Sequence, residues 1–175
     1  FMSTTSNRAV AIEYASTAPG SLVLELEQGL LDRGVAATRR SEHGCTALSI
    51  AAEEGHVEVM LALLEGALLP EDVLAADKFG TGPLMRASEN GHVEAVRLLL
   101  THIADSKKEV NAVNLKGWTA LLLATYNGYP EVVELLLANG ARADLGKASG
   151  QRAIFTPLCY ACLYDRLECA KLLLK

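Results

Sequence analysis

One phrase recurs along this chain, and its recurrence constrains the fold more than any local feature. "GCTALSIAAEEGHVEV" runs from Gly44 to Val59, and "GTGPLMRASENGHVEA" from Gly80 to Ala95. Looser copies follow. The tetrapeptides "CTAL", "TGPL", "WTAL" and "FTPL" end on Leu48, Leu84, Leu121 and Leu158, spaced 36, 37 and 37 residues apart. Seven residues after each leucine stand "GH" 55–56, "GH" 91–92, "GY" 128–129 and "DR" 165–166. Then come the apolar stretches "VEVMLALL", "VEAVRLLL", "EVVELLL" and "LECAKLLL". A fixed period of this length marks stacked supersecondary units.

Each unit reads as helix, turn, helix. Thr46, Thr119 and Thr156 are placed to cap first helices, their hydroxyls accepting from backbone N–H groups the helix leaves unpaired. Pro83 and Pro157 fall at the first helical position, where proline costs nothing. The small pairs "AA" 51–52, "AS" 87–88, "AT" 124–125 and "AC" 161–162 allow helices to approach closely. Gly55, Gly91 and Gly128 end the first helix, where positive φ is needed. Leucines at i, i+3, i+4 give the second helix one buried stripe. A lone pair cannot bury both faces, but stacked copies can, so each unit forms its neighbour's core.

These residues resemble the ankyrin repeat family, whose pattern reads roughly D-x-x-G-x-T-P-L-H-x-A-A-x-x-G-H with a "GA-x-VNA" tail. The match takes in Asp77 and Gly80 before Leu84, Asn114 and Gly117 before Leu121, "VNA" at 110–112 and "GARAD" at 140–144. The resemblance covers roughly residues 21–175 and implies an all-α ankyrin-repeat solenoid of about five helix-turn-helix units with hairpin loops between repeats. The units lie near 8–40, 41–76, 77–113, 114–150 and 151–175. Residues 1–20 are read as a tag remnant (Phe1 before Met2) and a degenerate first helix, with residues 21–34 supplying the second helix of an N-terminal cap. The family period is about 33 residues. Insertions are therefore expected at 68–73, at 106–109 and within 146–153, where they lengthen the connecting loops. The last copy has Asp165 where the others have the turn glycine. The final unit reads as uncapped, as in a fragment of a longer polypeptide.

Composition excludes several function classes. Sixteen basic against twenty-one acidic residues give a net charge of −5, the wrong sign for non-specific nucleic-acid binding. No apolar run is long enough for a membrane span. Without a signal-peptide pattern, the four cysteines read as reduced thiols of an intracellular protein, cytoplasmic or nuclear. Mixed charge and internal stacking imply a monomer.

Function is expected on a groove. The residues two, five and six positions after each anchor leucine form one stripe: Ile50, Glu53, Glu54; Arg86, Glu89, Asn90; Leu123, Tyr126, Asn127; Tyr160, Leu163, Tyr164. It runs from acidic to aromatic. The hairpins add Lys78, Phe79, Leu115, Trp118 and Phe155. The resemblance implies that this face and the hairpin tips make partner contacts. The binding set is thus Glu53, Glu54, Lys78, Phe79, Arg86, Glu89, Asn90, Leu115, Trp118, Tyr126, Asn127, Tyr160 and Tyr164. The expected partner is a protein segment, basic near one end and apolar near the other. The alternatives are a merely solvated face at Glu53 and Glu54, and aromatics that pack beneath a further unit.

No catalytic, cofactor-binding or metal-ligating residue is assigned, and the chain is read as a non-catalytic adaptor or scaffold. The second reading is a regulatory or targeting domain of a larger enzyme or receptor. A remote alternative is a metal or redox site at "CYAC" 159–162 with Cys169. Register opposes it. Cys162 stands where Ala52, Ser88 and Thr125 do, and Cys169 where Val59, Ala95 and Val133 do, so both are expected in the core. His56 and His92 recur with the period and read as scaffold, bonding across the turn. His43 and His102 are expected at the surface. Asparagine hydroxylation known in the family implies Asn111 as a candidate modification site.

Overall fold

The computed structural model describes residues 40–66, 73–103, 107–149 and 153–175. Four helix pairs fill these segments. They are α1 (Ala47–Glu54) with α2 (Val57–Gly66), α3 (Pro83–Asn90) with α4 (Val93–His102), α6 (Ala120–Asn127) with α7 (Pro130–Ala138), and α8 (Pro157–Leu163) with α9 (Leu167–Leu173). The expected first unit and the tag remnant lie outside the described residues, as does most of the insertion at 68–73. First helices stack in one layer, α1 on α3 on α6 on α8, and second helices in another, α2 on α4 on α7 on α9. This is the all-α ankyrin solenoid the repeat implies.

Local chemistry starts each first helix. Thr46 accepts from the Ser49 amide at 3.2 Å while Ser49 Oγ accepts from the Thr46 amide at 2.9 Å, so the two residues cap each other. Thr119 caps α6 through the Leu122 amide at 3.1 Å, and Thr156 caps α8 through Cys159. Such a cap contributes about 1 kcal/mol. In the second unit Gly82 holds the cap position without a side-chain bond, and Pro83 opens the helix.

Glycine then ends the first helix in three units. Gly55, Gly91 and Gly128 have φ of 72°, 75° and 83°. The space above them is also taken. A Cβ on Gly55 would lie 2.5 Å from the His92 ring, one on Gly91 2.6 Å from Tyr129, and one on Gly128 2.7 Å from Arg166. Each unit therefore lays the residue after its own turn glycine position over the preceding unit's turn. His92 Nε2 also meets the Glu53 carbonyl at 2.9 Å, and Arg166 Nε donates to the Tyr126 carbonyl at 3.2 Å. The histidine bond anticipated across a turn thus runs between units.

The core is the shared interior of the two layers. Leu48, Met60, Leu99, Leu121 and Leu136 are fully buried, as are Ala51, Ala52, Ala87 and Ala124 at the close helix crossings. Each buried leucine is worth about 2–5 kcal/mol on truncation.

Two insertions take up structure of their own. Lys107–Val110 forms the short helix α5, overlapping the expected insertion at 106–109. Lys147–Ser149 (β1) pairs antiparallel with Ala153–Phe155 (β2), in the register Lys147 opposite Phe155. A plain longer loop was expected there. The insertion is long enough for its two legs to satisfy each other's backbone groups, so it closes as a ribbon.

Candidate functional site

Two of the hairpins are each built on one side chain. Asp77 Oδ1 accepts from the amides of Phe79 at 2.8 Å and Thr81 at 2.9 Å. Asn114 Oδ1 does the same for Lys116 and Trp118, both at 3.0 Å. Adjacent hairpins are stitched by backbone bonds, Lys78 to the His43 carbonyl at 3.1 Å and Leu115 to the Phe79 carbonyl at 2.8 Å. That stitching leaves the side chains of Lys78, Phe79 and Leu115 turned outward, and all three are exposed.

Arg86 dominates the N-terminal part of the stripe. Its guanidinium pairs with Glu53 of the preceding unit and with Asp77 at 2.8 Å, and reaches Cys45 Sγ at 3.4 Å. Asp77 is almost wholly buried, its side chain 1% exposed. Burial pushes its carboxyl up, but the Thr81 amide, Arg86 and the Phe79 amide outweigh that and hold it below the usual carboxylate range. Arg86 is desolvated too, yet its carboxylate partners raise its pKa. Glu53 is therefore already paired, while Glu54 and Glu89 stay exposed.

The two asparagines of the stripe tie units together. Asn90 Nδ2 donates to the Glu53 carbonyl at 2.9 Å, and Asn127 Nδ2 to the Glu89 carbonyl at 2.8 Å.

The C-terminal part is aromatic. Trp118 lies 5.4 Å from Tyr126 and 5.2 Å from Tyr160, centroid to centroid. Tyr126 meets Tyr160 at 5.9 Å and Tyr164 at 4.7 Å, and Phe155 meets Tyr160 at 5.8 Å. Tyr160 is at the centre and only 9% exposed, and burial raises its phenol pKa. Trp118 and Tyr126 are half-buried and Tyr164 is 42% exposed. Between the ionic and aromatic parts lies a cavity of about 300 Å³ that both help to line.

Sequence register placed one cysteine correctly and one not. Cys169 is buried, and burial raises its thiol pKa. Cys162 is exposed, as is Cys159. The corresponding Ala52, Ser88 and Thr125 are buried under the next unit's first helix, and among the described residues nothing stacks on that side of α8. The Thr156 hydroxyl donates to Cys159 Sγ at 3.3 Å and lowers its pKa. Among the described residues no three His, Cys, Asp or Glu side chains form a group able to hold a metal. His43 and His102 are exposed as expected. Asn111 bridges to the next unit's tail, donating to the Gly140 carbonyl at 3.0 Å and accepting from the Arg142 amide at 2.7 Å. No helix among the described residues is long and apolar enough to cross a membrane.

Sequence reasoning missed the pairing of Arg86. The signal was present, since Glu53 and Arg86 carry opposite charges on adjoining copies of one stripe, but they are 33 residues apart and only the stacking brings them together.

A solenoid of helix pairs with stitched hairpins and a side-chain-lined inner face is a repeat scaffold for recognition. Sequence comparison agrees. The model for "Ankyrin repeats (3 copies)" matches residues 66–147 and 106–175, and that for "Ankyrin repeat" matches 43–78. The chain belongs to the ankyrin repeat family, whose members typically act as non-catalytic protein–protein interaction modules. It is 36% identical over 92 residues to human "Ankyrin repeat domain-containing protein 63", covering 53% of this chain and 23% of that protein. The mouse counterpart is 35% identical over the same length. Mouse "Protein fem-1 homolog A-like" is 34% identical over 93 residues, 53% of this chain and 14% of that protein. The chain thus spans about a quarter or less of these relatives.

Proposed function

We propose that this chain is a monomeric adaptor or scaffold that binds an extended protein segment along the stripe and the hairpin tips. The observation that carries the reading is the aromatic cluster in which Trp118, Tyr126 and Tyr164 stay accessible around buried Tyr160, with Phe79 and Leu115 exposed on the hairpins. Solvent-accessible aromatics on a rigid platform are the usual anchors of protein interfaces, because they bury much area at little entropic cost. Pairing of Glu53 with Arg86 shifts the available negative charge to Glu54 and Glu89. A basic stretch of the partner sits there, its apolar anchor over the aromatics. The cytoplasm or nucleus is the proposed site of action.

The test is capture of partners from cell lysate by the wild type and by a Trp118→Ala, Tyr126→Ala variant of matched fold, checked by circular dichroism. Proteins lost only with the variant support the groove. A variant that stays folded and retains every partner overturns it. The short coverage of the longer relatives favours a second reading, in which this module targets or regulates a larger polypeptide.

A further inference from the structure

The cavity between the second and third units has its own chemistry. Its aromatic walls are Phe79, Trp118 and Tyr126, with buried Leu123 beneath them and Glu89 and Lys116 also on its lining. The Trp118 and Tyr126 rings are set at 71° to each other. Asp77 and Arg86 reach it as well, but Arg86 is held by Asp77 and Glu53, so that triad carries one net negative charge. Glu89 is exposed and enters no ion pair among the described residues. Its backbone carbonyl is fixed by Asn127, one residue along the helix from Tyr126. The backbone under Glu89 is thus tied to the helix that carries Tyr126, and its unpaired carboxylate shares the cavity lining with Phe79, Trp118 and Tyr126.

We propose that this cavity receives an arginine side chain of the bound segment, an assignment that rests on the groove reading above. A guanidinium is planar, so it stacks on an aromatic face and at the same time forks onto a carboxylate. The cavity supplies both. A neutral aliphatic or aromatic side chain filling the same space would cover Glu89 and leave it without a partner. The inner helices α1, α3, α6 and α8 together carry three carboxylates, Glu53, Glu54 and Glu89, against the one guanidinium of Arg86. An incoming cation therefore meets a complementary field. Lys116 is the opposing charge, and it lies on the hairpin side of the cavity. It makes the site selective, because a cation must settle toward Glu89 and the rings.

Trp118 is the only tryptophan in the chain, so its fluorescence and its indole N–H resonance report on this cavity directly. The probes are the capped tetrapeptide acetyl-Gly-Arg-Leu-Gly-amide and its citrulline and lysine analogues, titrated at millimolar concentration. The arginine peptide is expected to saturate the Trp118 signal. Citrulline, which keeps the shape and loses the charge, should bind about tenfold more weakly, and Glu89→Gln should weaken the arginine peptide by a similar factor. Lys116→Glu should tighten it. Equal binding of the citrulline peptide, equal binding of the lysine peptide, or no Trp118 response to the arginine peptide overturns the assignment. Failure here is separable from failure of the groove. A lysate partner lost with Trp118→Ala, Tyr126→Ala but kept by Glu89→Gln removes the arginine pocket and leaves the groove standing.

Discussion

The two ends of the stripe occupy equivalent positions in the repeat and use them in opposite ways. At the N-terminal end, Glu53, Arg86 and Asp77 close on one another, so the charges that look most available in the sequence are compensated inside the protein. At the C-terminal end, Tyr126, Tyr160 and Tyr164 also close on one another, yet Tyr126 and Tyr164 still reach solvent around the buried Tyr160. The difference is one of range and direction. An ion pair is satisfied by one partner, and once desolvated it has little left to offer a second. An aromatic cluster is satisfied by area, and a large ring can bury one side against its neighbours and keep the other for a ligand. In one helical layer, then, charge builds the scaffold and aromatics build the surface.

The largest expected effect breaks the ionic end. Arg86→Met keeps an unbranched apolar stem and removes the charged head, leaving a carboxylate at Asp77 that is nearly inaccessible to water. Loss of one member of a buried pair costs about 3–5 kcal/mol. The cost depends on pH. The folded-state pKa of Asp77 is lowered from its ordinary 3.8, so its ionised form contributes stability above that value, and the contribution disappears as pH falls through the folded pKa. The gap between wild type and Arg86→Met should therefore be full at neutral pH and close at acid pH, once Asp77 is protonated in both proteins. Urea melts at pH 7 and at acid pH check this. An equal gap at both would mean that Arg86 acts through packing alone.

The aromatic end should respond by position within the cluster. Tyr160→Ala removes a side chain that touches Trp118, Tyr126, Phe155 and Tyr164, and should cost about 3 kcal/mol. Tyr164→Ala, at the exposed margin, should cost about 1 kcal/mol or less and act mainly on binding. Thermal melts of the two variants decide it. Equal losses would make the whole cluster a core and remove its claim to be a surface.

Next in size is Asn127→Ala, which cuts the bond to the Glu89 carbonyl that joins the two ends. A loss of about 1 kcal/mol is expected. Hydrogen exchange should place the added opening at the junction of α3 and α6.

The fold was legible because the repeat states its own period, and the capping threonine, the small residues and the turn glycine recur in the same order, with the threonine and the glycine each present in three of the four units. Even the exception at Asp165 was visible. The site was legible only as a list of positions. A helical stripe says which side chains share a face, and it is silent on which of them meet the next helix. The stripe puts Arg86, Asn90 and Asn127 on the expected partner face, and the stacking engages all three with the preceding unit. The register likewise put Cys162 in the core, because equivalence of position was taken for equivalence of surroundings. The first three units are each covered by the next, and within the described residues α8 is not. Short polar side chains and unit order, rather than pattern, decide those cases.

The smallest expected effect concerns the turn under the aromatic end. Asp165 has φ of 54°, in the left-handed region where Gly55, Gly91 and Gly128 stand in the other units. A side chain there costs up to about 1–2 kcal/mol, less for aspartate than for most residues because its carboxylate can bond locally. Asp165 is exposed, so nothing obstructs its removal on the solvent side. Asp165→Gly relieves the strain but frees the unfolded chain, and the two effects partly cancel. A net gain of about 0.5 kcal/mol is expected, with slower hydrogen exchange confined to α8 and α9. The gain also bears on the groove, because Arg166 follows this turn and donates to the Tyr126 carbonyl. If the aromatic surface depends on how firmly that arginine is held, Asp165→Gly should tighten partner binding together with the local gain in stability. Protection that rises in α8 and α9 while binding stays unchanged would show that the aromatic end is positioned by its own ring contacts, independently of the turn beneath it.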